Sequence, residues 1–183
     1  MIDESGLLMA PLVRRTWAVR GQTPMLQQRG KHRERVSVAA ALWWSPQQDR
    51  LGLVFRTLVN EYFNNHRSAA FLESLLREIP DRIVVVWDGG SMHKGDPIRE
   101  TVDRFWPRLE LEPLPPYAPM LNPVEPIWSW LKYEQLSNYA PVDAPQLRKA
   151  VHAKLTAISR DQQSLRQFWH ASDLPLPRRT LLL

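Results

Sequence analysis

The chain has 183 residues, 44% of them hydrophobic, which suits one globular domain with a sizeable core and excludes a disordered polypeptide. Cysteine is absent, which excludes disulfides, thiolate catalysis and cysteine-ligated zinc. A formal charge of +5 and a pI of about 9.9 suggest a polyanionic partner; no apolar run approaches bilayer length and MIDESG lacks signal-peptide regions, so the expected protein is cytoplasmic with no membrane contact.

At the start, Ile2 leads into Asp3 and Glu4 and stops at Gly6, which predicts only the tail of a strand. RRTWAVRGQTPML, residues 14 to 26, predicts an extended segment, a turn around Gly21 and an exit fixed by Pro24. Between residues 14 and 35 the bases are Arg14, Arg15, Arg20, Arg29, Lys31, Arg33 and Arg35, against Glu34 alone. Such a segment suits a phosphate backbone; the bland alternative is a solvated basic hairpin. VSVAAALWW (36–44) and LGLVFRTL (51–58), joined by a polar turn, predict a β-hairpin.

Phe71, Leu72, Leu75, Leu76 and Ile79 recur at helical spacing within residues 68 to 79, and Pro80 ends that helix. RIVVVWD (82–88) is a continuous β-branched run, predicting a strand buried on both faces. Asp88 closes it, before Gly89 and Gly90, at the carboxyl end where open α/β sheets place their sites. A helix over 97–106 lies between Pro97 and Pro107, LELEPL (109–114) alternates like an edge strand, and helices follow over 143–158 and 161–170 before an irregular tail from Leu174. Trp43, Trp44 and Trp87 fall in strand patterns and suit a core better than base stacking.

The stretch LPPYAPMLNPVEPIWSWLK, residues 114 to 132, organises the rest. Its prolines exclude a central strand or helix interior and predict an ordered, extended approach to a helix. That helix begins either at Asn122–Pro123 or one turn later at Pro126, and both starts put Glu125 in or beside the first turn. Trp128, Ser129 and Lys132 follow at i+3, i+4 and i+7 from Glu125, whereas Ile127, Trp130 and Leu131 suit the core. Asn122 and Glu125 are also spaced as a capping box, in which case Glu125 has no chemical role.

Together, DESG (3–6), RRTWAVRGQTP (14–24), WDGGSMH (87–93) and the 114–132 stretch resemble the catalytic domain of bacterial insertion-sequence transposases of the mariner-like superfamily, from Asp3 to about residue 140. The resemblance implies an α/β, ribonuclease H-like fold: a mixed five-stranded sheet flanked by helices. It implies a D-D-E triad of Asp3, Asp88 and Glu125, the last two 37 positions apart, serving as catalytic residues and metal ligands. His93 matches a histidine usual in the family. Gly89 replaces a frequent asparagine and Met120 a frequent acid.

The implied function is DNA strand cleavage at element ends followed by strand transfer, with Mg²⁺ or Mn²⁺, two ions, as cofactor. Three carboxylates suit that chemistry, because hard cations prefer oxygen ligands and an in-line attack on a phosphodiester needs its charge offset. Lys132, Arg14, Arg15 and Arg20 are the expected DNA contacts, Trp128 is expected beneath the site, and His93 either orders the Asp88 turn or meets substrate or metal-bound water. The expected partners are double-stranded DNA, both element ends and target, and further copies of the chain in a synaptic complex.

Residues 3–140 are expected to form the catalytic core and 141–183 the C-terminal helices and tail. Rival readings are a truncated, inactive remnant that only binds DNA, and a general nuclease of the same fold. In the fold it resembles, the strand bearing the first aspartate runs several residues before it, and here only Met1 and Ile2 do so. The expectation is therefore that half of a central strand and the N-terminal DNA-binding domain are absent. On this reading the polypeptide alone does not transpose, is the product of a split, frameshifted or decayed gene, and depends on an upstream-encoded helix-turn-helix segment.

Overall fold

The computed structural model describes residues 1–10, 12–27 and 34–175. Of the basic segment, Arg29, Lys31 and Arg33 lie outside them, as does the tail beyond Pro175.

Three strands form an antiparallel sheet in the order β1 (Ile2–Leu8), β2 (Arg35–Ser45), β3 (Arg50–Val59). The predicted hairpin is thus present, and the N-terminal strand is longer than its sequence suggests. β1 runs through Gly6 because every residue from Ile2 to Leu8 has a partner on β2, from Ile2 opposite Ala41 to Leu8 opposite Arg35. Helix α1 (Asn65–Glu78) follows, its first turn capped by Asn64 Oδ1, which accepts from Arg67 N at 3.0 Å. β4 (Ile83–Trp87) then pairs in parallel with β5 (Leu109–Pro113) across α2 (Asp96–Phe105).

β2 separates two cores. Val36, Val38, Ala40 and Leu42 face one, with α4 (Ala144–Ser159) and α5 (Gln162–His170); Ala39 and Ala41 face the other, with α1, β4 and β5. Alternation along an extended chain makes this division, since neighbouring side chains point to opposite faces. α5 is fastened to β3 by Gln162, whose side chain donates to Leu51 O at 2.7 Å and accepts from Leu51 N at 3.1 Å.

The five strands do not make one sheet. Among the described residues they fall into a three-stranded and a two-stranded sheet, with no ladder between β1 and β4. A slot of about 530 Å³ is lined by Ala41–Ser45 of β2 and Ile83–Val86 of β4, with Met1, Ile2 and Trp169 at its border. The same slot corrects the expectation that β4 is buried on both faces. Ile83, Val85 and Trp87 are buried, whereas Val84, which fronts the slot, is half exposed.

The β2–β3 pairing includes a close approach of Trp43 to Gly52, opposite each other in the ladder. A Cβ on Gly52 would fall within the Trp43 indole, while one on Gly6 would meet nothing within 4 Å. Gly52→Ala is therefore expected to destabilise the domain by about 1–3 kcal/mol through overpacking, and Gly6→Ala to leave it unchanged or slightly more stable. Denaturant melts of the two variants against the parent check this.

Candidate active site

β1 presents two adjacent carboxylates to opposite faces. Asp3 turns towards the organising stretch, where Trp128 Nε1 donates to its Oδ2 at 2.6 Å. Asn122, buried, locks the two segments together: its Nδ2 donates to Ile2 O at 3.0 Å, its Oδ1 accepts from Val124 N at 3.1 Å, and its carbonyl accepts from Glu125 N at 3.1 Å.

The later of the two helix starts is the one adopted. Helix α3 (Glu125–Ser129) opens with Glu125 and carries Pro126 in its first turn. The capping box does not form, since Asn122 N–H donates to Pro119 O at 2.9 Å. Val124, Ile127, Trp128 and Leu131 make the buried stripe, at i, i+3, i+4 and i+7. Trp128 thus belongs to the core as well as lying beneath Asp3, and Trp130 packs only partly buried against that core. Trp128 is buried under Asp3, and Trp130 lines a cleft of about 780 Å³ with Glu125, Ser129, Glu134 and Phe168.

After Ser129 the helix widens into a π-helical stretch, Trp130–Gln135, whose larger turn breaks the 3.6-residue phase. Lys132 lies within this stretch. It borders a separate cavity of about 340 Å³ with Leu7, Leu8 and Tyr139.

On the other face of β1, Glu4 meets the loop after β4. His93 Nε2 lies 3.0 Å from Glu4 Oε2, and its Nδ1 lies 2.6 Å from Asp88 Oδ1 and 3.1 Å from Asp88 O. The ring is stacked on Trp87 with centroids 3.7 Å apart. Carboxylate and carbonyl oxygens only accept, so with both acids ionised each ring nitrogen donates. Burial lowers the His93 pKa, but the hydrogen bond and charge of Glu4, followed by those of Asp88, outweigh it and hold the value above the usual one. Asp88 Oδ1 also accepts from Gly90 N at 2.9 Å, so this carboxylate is turned to its own loop.

Sequence reasoning missed Glu4, although a period of two places it on the buried face with Ile2, where a carboxylate needs a partner.

Of the expected DNA contacts, Arg14 is committed to the protein: its backbone N–H donates to Asn138 Oδ1 at 2.8 Å and its guanidinium to Tyr133 O at 2.8 Å. Arg15 and Arg20 are exposed on the extended arm that this anchor starts, and the arm turns at Gly21, with Gln22 N donating to Val19 O at 2.9 Å. Trp17 is fully exposed on it.

Burial pushes the Asp3 carboxyl up to about 7, and the charge of Glu125 adds to the rise against the opposing Trp128 bond. No ion pair found among the described residues involves Asp3 or Glu125. Two mutually repelling carboxylates without a cationic side chain are a hard, oxygen-only donor set that fits a divalent cation. Asp88 is not gathered with them. Among the described residues no group of three or more His, Asp or Glu side chains stands close enough together to hold a metal.

The chain matches the DDE superfamily endonuclease family over residues 1–148 and belongs to it. Its fold is that of the Mos1 mariner transposase catalytic domain. A Mos1 transposase paired-end complex with left transposon end superposes with a TM-score of 0.64 at 18% identity, over 93% of this chain and 50% of that one. A Mos1 paired-end complex with Mg gives 0.65 at 17% identity, over 93% and 52%. The Mos1 catalytic domain alone gives 0.52 at 15% identity, over 95% and 82%. The chain thus spans about half the length of the full Mos1 chains. None of the curated proteins compared with it matches.

The raised Asp3 pKa has a definite sign in stability. The folded form takes up a proton at about 7 and the unfolded form near 3.8, so the penalty of ionising Asp3 in place is absent below about pH 4 and complete above about pH 7. Asp3→Asn keeps an oxygen acceptor for Trp128 and removes the charge. It is expected to stabilise the metal-free protein by a few kcal/mol at pH 8 and by little at pH 4.5. Chemical melts of parent and variant at the two pH values, in chelator, isolate Asp3 from other groups titrating in that range.

Proposed function

We propose that this chain is the catalytic domain of a DNA transposase, acting in the cytoplasm by divalent-metal-dependent strand cleavage at element ends followed by strand transfer. The observation that carries the reading is the approach of Glu125 to the buried Asp3, neither of them in an ion pair found among the described residues. Membership of the DDE endonuclease family and likeness to a Mos1 complex holding a transposon end support it.

Asp3, Asp88 and Glu125 are the residues that would hold Mg²⁺ or Mn²⁺, two ions, and bound cations would activate the attacking oxygen and stabilise the leaving one. The protein's own share is positional. Trp128 and Asn122 fix Asp3 and Glu125 relative to each other, and the Trp128 bond favours the ionised Asp3 that a cation needs. Arg15 and Arg20 follow the phosphate backbone along the arm, held out by the Arg14 anchor, and Lys132 holds a phosphate near the cleavage point. Residues 3–140 form the working core, and 141–183 support it. Several copies act together in a synaptic complex, and an upstream-encoded helix-turn-helix segment reads the element ends.

Nicking of supercoiled plasmid is expected only with Mg²⁺ or Mn²⁺. Asp88→Asn should reduce it to background while DNA binding persists; unchanged cutting by this variant would overturn the assignment. DNA binding without metal-dependent cutting by the parent would instead identify an inactive remnant.

The arm generates a separate expectation. Replacing Arg15 and Arg20 with Gln should weaken binding for all sequences and flatten the plot of log affinity against log salt by about 2, one contact each. An unaltered slope would assign the arm to solvent or to another subunit.

A further inference from the structure

The geometry points to Glu4 as a positioning residue for Asp88, acting through His93. This rests on the reading of Asp88 as a metal ligand. It adds a residue outside the triad and assigns His93 a task.

His93 has no nitrogen left for substrate or for water. Nε2 is taken by Glu4 at 3.0 Å and Nδ1 by Asp88 at 2.6 Å, while Trp87 covers a ring face. The ring is a rigid spacer between two strands that share no backbone ladder. What fixes the loop after β4 to β1 is therefore this side-chain chain. Its members are buried at the joint: the His93 side chain is 5% exposed and that of Glu4 12%.

Only Asp88 emerges, with its side chain 55% exposed. Its Oδ1 is held by His93 and by Gly90 N, which leaves Oδ2 as the oxygen free to turn outward. Gly90 is part of the fit, since a Cβ there would lie 3.0 Å from Asp88 Oδ1 and 3.2 Å from His93 Nδ1. A ligand carboxylate gripped through one oxygen and presenting the other has a fixed approach direction, which is how outer-shell partners tune a metal site. Glu4 supplies the far end of the grip. Asp3, the next residue, is fixed from the opposite face of the same strand, so one backbone segment sets the spacing between the two aspartates.

The test uses the full 183-residue chain. Mn²⁺ affinity is measured by calorimetry, the Asp88 carboxyl ¹³C resonance by NMR, and folding by melting temperature, for Glu4→Ala, Glu4→Gln, Asp88→Asn and the Glu4→Ala/Asp88→Asn pair. Glu4→Ala is expected to weaken Mn²⁺ binding about 10- to 100-fold and to shift the Asp88 resonance while the protein still folds. Glu4→Gln retains a carbonyl acceptor for Nε2–H and should restore most of both. In the Asp88→Asn background Glu4→Ala should cost nothing further, because its route to the metal is already gone.

An unmoved Asp88 resonance in Glu4→Ala, or a full additional loss in the double variant, would overturn the proposal. Should Glu4→Ala fail to fold, Glu4→Met, similar in volume and without an acceptor, takes its place. A parent protein that binds no Mn²⁺ would remove the metal reading, and the Asp88 resonance would then decide the positioning role alone.

Discussion

The arrangement depends on the difficulty of putting two carboxylates, side by side, on a strand whose two faces are both covered by core. An ionised group removed from water must find a partner or change its protonation, and neighbouring side chains of a strand cannot share one because they face opposite ways. Asp3 and Glu4 therefore recruit separately, Trp128 on one face and His93 on the other. Each recruit belongs to an element that also bears one of the other two acids, Glu125 with Trp128 on α3 and Asp88 with His93 beyond β4. Satisfying the strand's polar demand thus ties both of these acid-bearing elements to β1.

The two cores follow from this. The face carrying Asp3 packs α3, α4 and α5, and the face carrying Glu4 packs α1, β4 and β5. Backbone pairing holds β1 to β2, but β4 is joined to β1 by side chains and by packing of Ile2 with Ile83 and Val85. Secondary salt links, such as Arg82 to Glu110 across β4 and β5, lie at the exposed rim and contribute little. The halves thus cohere through one shared core, in which Ile2, Ala39, Ala41 and Val54 meet α1, β4 and β5, and through side-chain bonds at the candidate site.

Local pattern made much of this legible. The β-branched run of β4, the hairpin, and the helices stopped at Pro80 and Pro107 were set by spacing and by residues with one conformational habit. The length of β1 was not, because a strand ends where its partner does, and Gly6 marks a stop only when pairing is ignored. The division of the sheet escaped for the same reason, being a matter of distant pairing.

In the site, Glu125 and Trp128 were legible from their register. The phase of α3 was not: anchoring it on Glu125 grouped Trp130 with the core residues, whereas the fully buried stripe runs through Val124 and Trp128. Arg14 looked like a free cation because its partners, Tyr133 and Asn138, lie more than a hundred residues away.

The π-helical stretch beyond α3 is in effect an α-helix carrying one surplus residue. Such a bulge stores an insertion. Losing one residue between Trp130 and Gln135 would let ordinary helical bonding close again, with Val124 to Ser129 undisturbed upstream. The same loss in α4 would swing every later side chain by about 100° and carry Val151, Leu155 and Ile158 out of the core. Chain length in this domain can therefore drift immediately behind Glu125 without moving it, and the face offered by residues such as Lys132 and Tyr133 can rotate past a fixed acid.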